Sequence, residues 1–373
     1  MDMGTVYHKL TSKIKTEICE YKDFRTSRHI VVFESDDWGS IRMSNRKDWE
    51  SLRKMGYAVD TRPYEKYDTL ESASDLASLF EVLCHHKGAD GRHPIITVNM
   101  LMANPDFDRI AAGNFQDYYY EPIAETYTRY FGNASAMMVF RQGLDAGVIM
   151  PQFHGREHFN VSRWIKGLQS GDPDLLTAFR YNMCGIAPKD NPNKGNDLMK
   201  SLYAESMEEQ SIIEDILKDG LFMFEQMWGF RSQSFVAPCY CWNSRIEEIL
   251  KSFGTMLIQT SRAKKVAFRS PCKFFFSGER NQYRQTYSIR NCTFEPAIRV
   301  QDNSLDAIMN RVDYLFSKHK IVVFSTHRVN YVSGIDETNR TKTLELLDNL
   351  LKSLLDRYPD IEFKSSDMLI DIL

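Results

Sequence analysis

Short, unbroken apolar runs closed by Gly, Pro or Asp recur along the chain, and between them Leu, Ile and Phe return every three or four residues. The first pattern predicts buried strands and the second amphipathic helices. Strands are expected at residues 29–35 (HIVVFES), 94–100 (PIITVNM), 148–150 (VIM, between Gly147 and Pro151), 233–238 (QSFVAP), 257–259 and 321–327 (IVVFSTH). Helices are expected over residues 1–28 with its approach to the core, then 70–86, 135–144, 159–168, 198–228, after 243 through Leu250, 302–317, 341–357 and a short final turn. Residues 104–106 read as a turn, and 187–196 as a loop rich in Pro, Asn and Lys. Strands that alternate with helices predict a parallel sheet with right-handed crossovers. No repeat or clean linker interrupts the pattern. The simplest architecture is one α/β domain over residues 1–373, a distorted (β/α) barrel with an N-terminal helix at 1–28 and an irregular excursion at 260–300.

Composition narrows the class without choosing a function. The chain has 373 residues, 43% hydrophobic and 26% charged, enough for a large core. With 47 basic and 50 acidic residues the net charge is −3, which gives no electrostatic case for a nucleic-acid partner. No stretch has the roughly 18 apolar residues of a membrane span, and residues 1–24 lack the apolar core of a secretory signal. Seven cysteines without framework spacing agree with a reducing compartment, so a cytoplasmic location is expected. Nothing in the pattern fixes the oligomeric state.

Candidate chemistry sits at predicted strand ends. Asp36 and Asp37 close the first strand; they read either as a cap or Asx turn before a helix at Arg46 to Met55, or as two carboxylates with separate roles, since successive side chains of an extended chain point opposite ways. His154 and His158, four residues apart, follow the strand at 148–150 into a turn, a spacing at which two imidazoles can share a cation. The Pro238 to Trp242 segment follows another strand, and His327 ends the clearest one. In a parallel barrel these ends converge on one face. Asp37, His154 and His158 would then hold a divalent metal, Zn first and Co or Ni next, with a bound water as nucleophile, Asp36 as base and His327 as acid. A backbone N–H of Cys239 or Tyr240 could stabilise an oxyanion. Trp38, Asn99, Asn104, Pro238, Tyr240, Trp242 and Arg328 are the candidate substrate contacts, and the Tyr-rich segment 109–132 offers rings for sugars to stack on or for the core edge.

These motifs, in this order, resemble the metal-dependent polysaccharide deacetylases related to the nodulation chitooligosaccharide deacetylase. The resemblance implies a distorted (β/α) barrel, a carbohydrate substrate and hydrolysis of an acetyl or similar acyl group, with Asp36 as base, Asp37, His154 and His158 as metal ligands, and His327 as acid. It departs from the family at Val236, where an Arg usually steadies the catalytic Asp, and the acid that supports that Arg is missing. Arg231, Arg290 or Arg328 could substitute. Two rivals remain: a catalytically silent glycan-binding protein on the same barrel, and a His-x-x-Glu-His zinc peptidase with Glu157 as base. The second needs a helix, which Pro151 and Gly155 oppose; Glu157 otherwise reads as a partner for a ligand His or as a surface charge.

Overall fold

The computed structural model describes residues 3–192, 197–265, 272–299 and 304–373. Eight strands run in one direction: β1 (Ile30–Trp38), β2 (Ile96–Leu101), β3 (Ile149–Gly155), β4 (Ser234–Val236), β5 (Leu257–Thr260), β6 (Thr286–Ile289), β7 (Cys292–Thr293) and β8 (Val322–His327). They lie in the order β6-β5-β4-β3-β2-β1-β8-β7, and each neighbouring pair is parallel. A short β9 (Glu362–Lys364) also pairs with β1.

The two ends of this order are one length of chain. β6 pairs with β5 and ends at Ile289; β7 begins at Cys292 and pairs with β8. A single interrupted strand thus carries the sheet round on itself, and the fold is a distorted (β/α) barrel. Arg290 and Asn291 occupy the interruption. Asn291 stitches the break, its side chain donating to Ile321 O at 2.8 Å and accepting from Val323 N at 3.0 Å.

Burial explains the continuous apolar runs. All nine residues of β1 are buried, as befits a parallel strand covered on both faces. Outside it, helix Ala73–Cys84 places Leu76, Leu79, Phe80 and Leu83 against the sheet. A capping box of Ser72 and Asp75 satisfies N–H groups at its start.

Several boundaries differ from the sequence reading. β3 passes through Pro151 and ends four residues later, so His154 lies on the strand itself. Pro151 removes one ladder donor, and side chains help to bind β3 to β4: Phe153 N donates to Ser232 Oγ at 2.8 Å and Ser234 N to Gln152 Oε1 at 2.7 Å. Residues 104–106 are no free turn, because Ala103–Pro105 pairs antiparallel with Tyr120–Pro122. The long helix starts at Met207, where Ser206 accepts from Glu209 N and caps it. The excursion at 260–300, where short strands are expected around residues 290–291 and 294–296, contains a hairpin (Ala263–Lys265 with Cys272–Phe274) and, at Thr286–Ile289 and Cys292–Thr293, the interrupted strand that closes the barrel. Residues 1–2, 193–196, 266–271 and 300–303, on which parts of the expected helices, loop and excursion fall, lie outside the described residues. No described helix is long and apolar enough to cross a membrane.

Candidate active site

The C-terminal ends of β1, β3 and β8 and the turn after β4 surround a cavity of about 350 Å³, with Asp36, Asp37, His154, His158, Tyr240 and His327 in its wall. β1 does not deliver its two carboxylates to opposite faces as simple alternation predicts. Its register with β2 slips between Ser35 and Trp38, and Asp37 has φ 75°, in the left-handed region. This bulge turns Asp37 into the same cavity as Asp36. The next residue but one must be Gly: Gly39 has φ +83°, and a Cβ there would meet Leu101 O at 2.8 Å. A left-handed Asp costs roughly 1–2 kcal/mol, so surrounding contacts must hold it.

Asp37 Oδ1 lies 3.0 Å from His158 Nε2 and 3.6 Å from His154 Nε2. One ligand atom from each residue falls within 4.8 Å of the others. His154 Nδ1 donates to Val236 O at 2.8 Å, which fixes the tautomer and leaves the Nε2 lone pair facing the carboxylate. Asp37 Oδ1 and His154 Nε2 are both buried and have no hydrogen-bond partner. A lone pair aimed at a carboxylate oxygen is unfavourable unless a cation joins them, so these residues fit a divalent metal. Burial lowers the His158 pKa to about 4, despite the opposing pull of Asp37, and so keeps the ring neutral. Val236 contributes its carbonyl to this arrangement.

A guanidinium reaches Asp36 from the interruption between β6 and β7. Arg290 makes a bidentate pair with Asp36, Nη1 to Oδ2 at 2.6 Å and Nη2 to Oδ1 at 2.7 Å. Its Nε donates to Glu34 Oε2 at 2.7 Å, so Glu34 is the acid that supports it. Asn99 adds a donor to Asp36 Oδ1 at 2.8 Å, and Gln259 accepts from Arg290 at 2.8 Å. Burial alone would raise the Asp36 pKa, but the guanidinium brings it down to about 2. Arg231 instead pairs with Glu225, and Arg328 is fully buried against Asp68 and Glu71. Glu34 escaped the sequence reading, although it stands two residues before Asp36 on the same strand, a spacing that shares one face.

His327 Nε2 is 3.8 Å from Asp36 Oδ2. Its Nδ1 donates to Glu295, which also accepts from Asn330 at 2.7 Å. Burial would lower the His327 pKa, yet the Glu295 carboxylate raises it to about 9. The imidazolium therefore persists at neutral pH and is lost as pH rises through about 9. In a Glu295→Gln variant, ring-nitrogen NMR is expected to show the His327 titration moving down toward the ordinary value of about 6.5. A midpoint unchanged near 9 would contradict that pairing.

Of the expected substrate contacts, Tyr240 lies in the cavity wall, its hydroxyl accepting from Arg290 Nη1 at 3.2 Å. Its N–H donates to Ala237 O at 2.8 Å, which leaves Cys239 as the backbone candidate for an oxyanion. The others turn away. Trp38 is buried against Phe140 and Tyr331, and Trp242 donates to Glu247 inside the core. Asn99 supports Asp36 from below. Asn104 binds Ile41 N and Gly39 O, bracing the turn after β1. Pro238 is buried near Gly155, and Arg328 belongs to the buried ion network. Polarity at a strand end marks these positions, but only packing distinguishes a wall from its support. The tyrosines are engaged by carboxylates of the protein: Tyr118 donates to Glu157, Tyr120 to Asp219 and Tyr127 to Glu71, and of these only Tyr127 is fully buried. Glu157 is neither a surface charge nor a partner of the ligand histidines, since Arg156 and Tyr118 hold it; the segment from His154 to His158 contains no helix, which removes the geometry a zinc peptidase requires. Arg42, Arg62 and Tyr64, from the segment between β1 and helix Ala73–Cys84, also line the cavity, and the sequence did not single them out.

No protein-family model matches the chain, and no curated protein is significantly similar to it. Among solved structures, a CE4 family pseudoenzyme from Bacillus anthracis is similar over 92% of this chain and 66% of that one, at 11% identity and TM-score 0.39; the chain thus spans about two thirds of that protein. A family 4 carbohydrate esterase from Streptomyces lividans, solved with acetate, is similar over 90% and 91% of the two chains, at 11% identity and TM-score 0.37. A 4-alpha-glucanotransferase from Thermococcus litoralis is similar over 93% of this chain and 40% of its own, at 8% identity and TM-score 0.47.

Proposed function

We propose that this chain is a metal-dependent hydrolase that removes an acetyl or similar acyl group from a carbohydrate. The observation that carries the reading is the pair of buried, unpartnered atoms Asp37 Oδ1 and His154 Nε2, 3.6 Å apart beside His158 Nε2, with a fixed carboxylate and a protonated imidazole in the same cavity. A divalent cation held by Asp37, His154 and His158 would supply a Lewis acid for the acyl oxygen and lower the pKa of water toward about 7. Imidazole and carboxylate donors suit Zn, with Co or Ni as substitutes.

The chain's own groups divide the proton work. Asp36 is ionised at neutral pH and takes the proton given up by the attacking water. Its two bonds to Arg290 fix its direction but hold its basicity low. His327, kept protonated by Glu295, delivers a proton to the leaving nitrogen or oxygen as the acyl bond breaks. Base and acid stand 3.8 Å apart, close enough to serve one small acyl centre in turn.

The test is metal content by mass spectrometry on wild type beside His154→Ala, followed by a screen of N- and O-acylated sugars. About one equivalent of Zn, Co or Ni in the wild type, lost in the variant, together with sugar deacylation, is the expected result. No metal in either protein after reconstitution would overturn the mechanism, and bound metal without turnover on any acylated sugar would leave a glycan-binding protein.

A further inference from the structure

Asp37 is gripped from behind as well as from the cavity. While Oδ1 faces the two histidines, Oδ2 receives Arg42 Nη2 at 3.3 Å. Arg42 Nε lies 3.7 Å from Asp68 Oδ2, and Asp68 is fully buried. On its other side Asp68 Oδ1 receives Arg328 at 3.0 Å. Arg328, also without exposure, donates to Glu71 Oε2 at 2.9 Å and to Ser40 O at 2.6 Å. Glu71 Oε1 accepts from Gly39 N at 2.9 Å and from the Tyr127 hydroxyl. The network therefore holds the turn after β1 at Asp37, Gly39 and Ser40.

An array of buried ions is a poor device for stability, because desolvation consumes most of the Coulombic gain. Its contacts nevertheless converge on one strained turn. Asp37 sits at φ 75°, and with Oδ2 released it could relax its backbone or rotate its carboxylate away from the histidines. A ligating carboxylate needs such an outer contact to keep one oxygen aimed.

We propose that Arg42 is a positioning residue for the cation ligand Asp37, anchored by Asp68, Arg328 and Glu71. This rests on the metal-site reading above. The site is built to present a single carboxylate oxygen, with the other reserved for the guanidinium.

The experiment is titration of the purified full chain with Co²⁺, read by the visible absorption of the bound ion and by calorimetry. The double variant Arg42→Met/Asp68→Asn removes one positive and one negative charge, of which Arg42 is the one touching Asp37; losing that cation by itself favours Co²⁺, so weaker binding reports lost orientation rather than lost charge. Co²⁺ binding is expected to weaken by about 10- to 100-fold, with an altered absorption band. Affinity within about threefold of wild type with the wild-type band would overturn the inference. Should the double variant fail to fold, Arg42→Lys keeps the charge but lacks the planar fork that reaches both carboxylates. Several-fold weaker binding with a shifted band is then expected, and an unchanged titration would overturn the proposal. Wild type that takes up no Co²⁺ would defeat the metal-site reading itself, a result separable from equal binding by wild type and variant.

Discussion

Replacing Arg290 by Met is expected to destabilise the fold by about 3–5 kcal/mol and to abolish hydrolysis. The arginine is buried between two carboxylates, Glu34 at 0% exposure and Asp36 at 5%, and it bonds both. Removing it leaves two negative charges in a medium that cannot solvate them. Urea unfolding at pH 7 and pH 5 measures the effect and its sign. Burial already raises the Glu34 carboxyl with Arg290 present; without the guanidinium it raises Glu34 further and Asp36 as well, above their unfolded values near 4, so the folded variant binds protons more readily. Stability of the variant is then lost as pH rises through those raised values and regained as pH falls. A deficit that shrinks at pH 5 is the expected outcome, and adding Glu34→Gln should recover part of it. A variant as stable as wild type at pH 7 would mean that Arg290 does not carry this charge balance.

Asp36→Asn is expected to lower deacylation by about 10²- to 10⁴-fold while cation binding survives. The substitution keeps the side chain's size and can still accept one bond from Arg290, whose Nε remains with Glu34. It removes only the group that takes the proton. The ligands Asp37, His154 and His158 are untouched. Rate on an acylated sugar and metal content measured on the same preparation separate the two roles. Loss of metal along with rate would make Asp36 a ligand or its support, and an unchanged rate would remove it from the chemistry.

Chemistry-bearing residues at the ends of strands were legible because the signals are local. The run Ile30 to Phe33 marks a buried strand, and Asp36 and Asp37 lie near its C-terminal end. His154 and His158 meet by spacing, and His327 ends a strand whose residues run parallel to β1, Asp36 opposite His327. Parallel order then places these ends together. The substrate contacts were less legible, since Trp38, Asn99, Asn104, Trp242 and Arg328 carry the right chemistry at strand ends yet face inward. An indole or amide looks the same in sequence whether it meets a ligand or a neighbouring loop. Alternation also misled at Asp37, because a bulge needs one residue in the left-handed region and nothing local announces it in an Asp.

By itself the sequence determined the alternation of strands and helices that makes a parallel barrel, and it marked five polar residues near strand ends as candidates, since periodicity and strand-end polarity act over a few neighbours; the closing strand Thr286–Ile289 and short helices such as Pro173–Arg180 were not legible. Tertiary structure decided what surrounds those five. Arg290 reaches Asp36 across 254 residues, Glu295 reaches His327 from the end of the closing strand, and Arg42 holds Asp37 through a turn that Arg328 and Glu71 brace. These partnerships arise because a buried charge must find its counter-charge in space, and the barrel alone sets which distant segment supplies it.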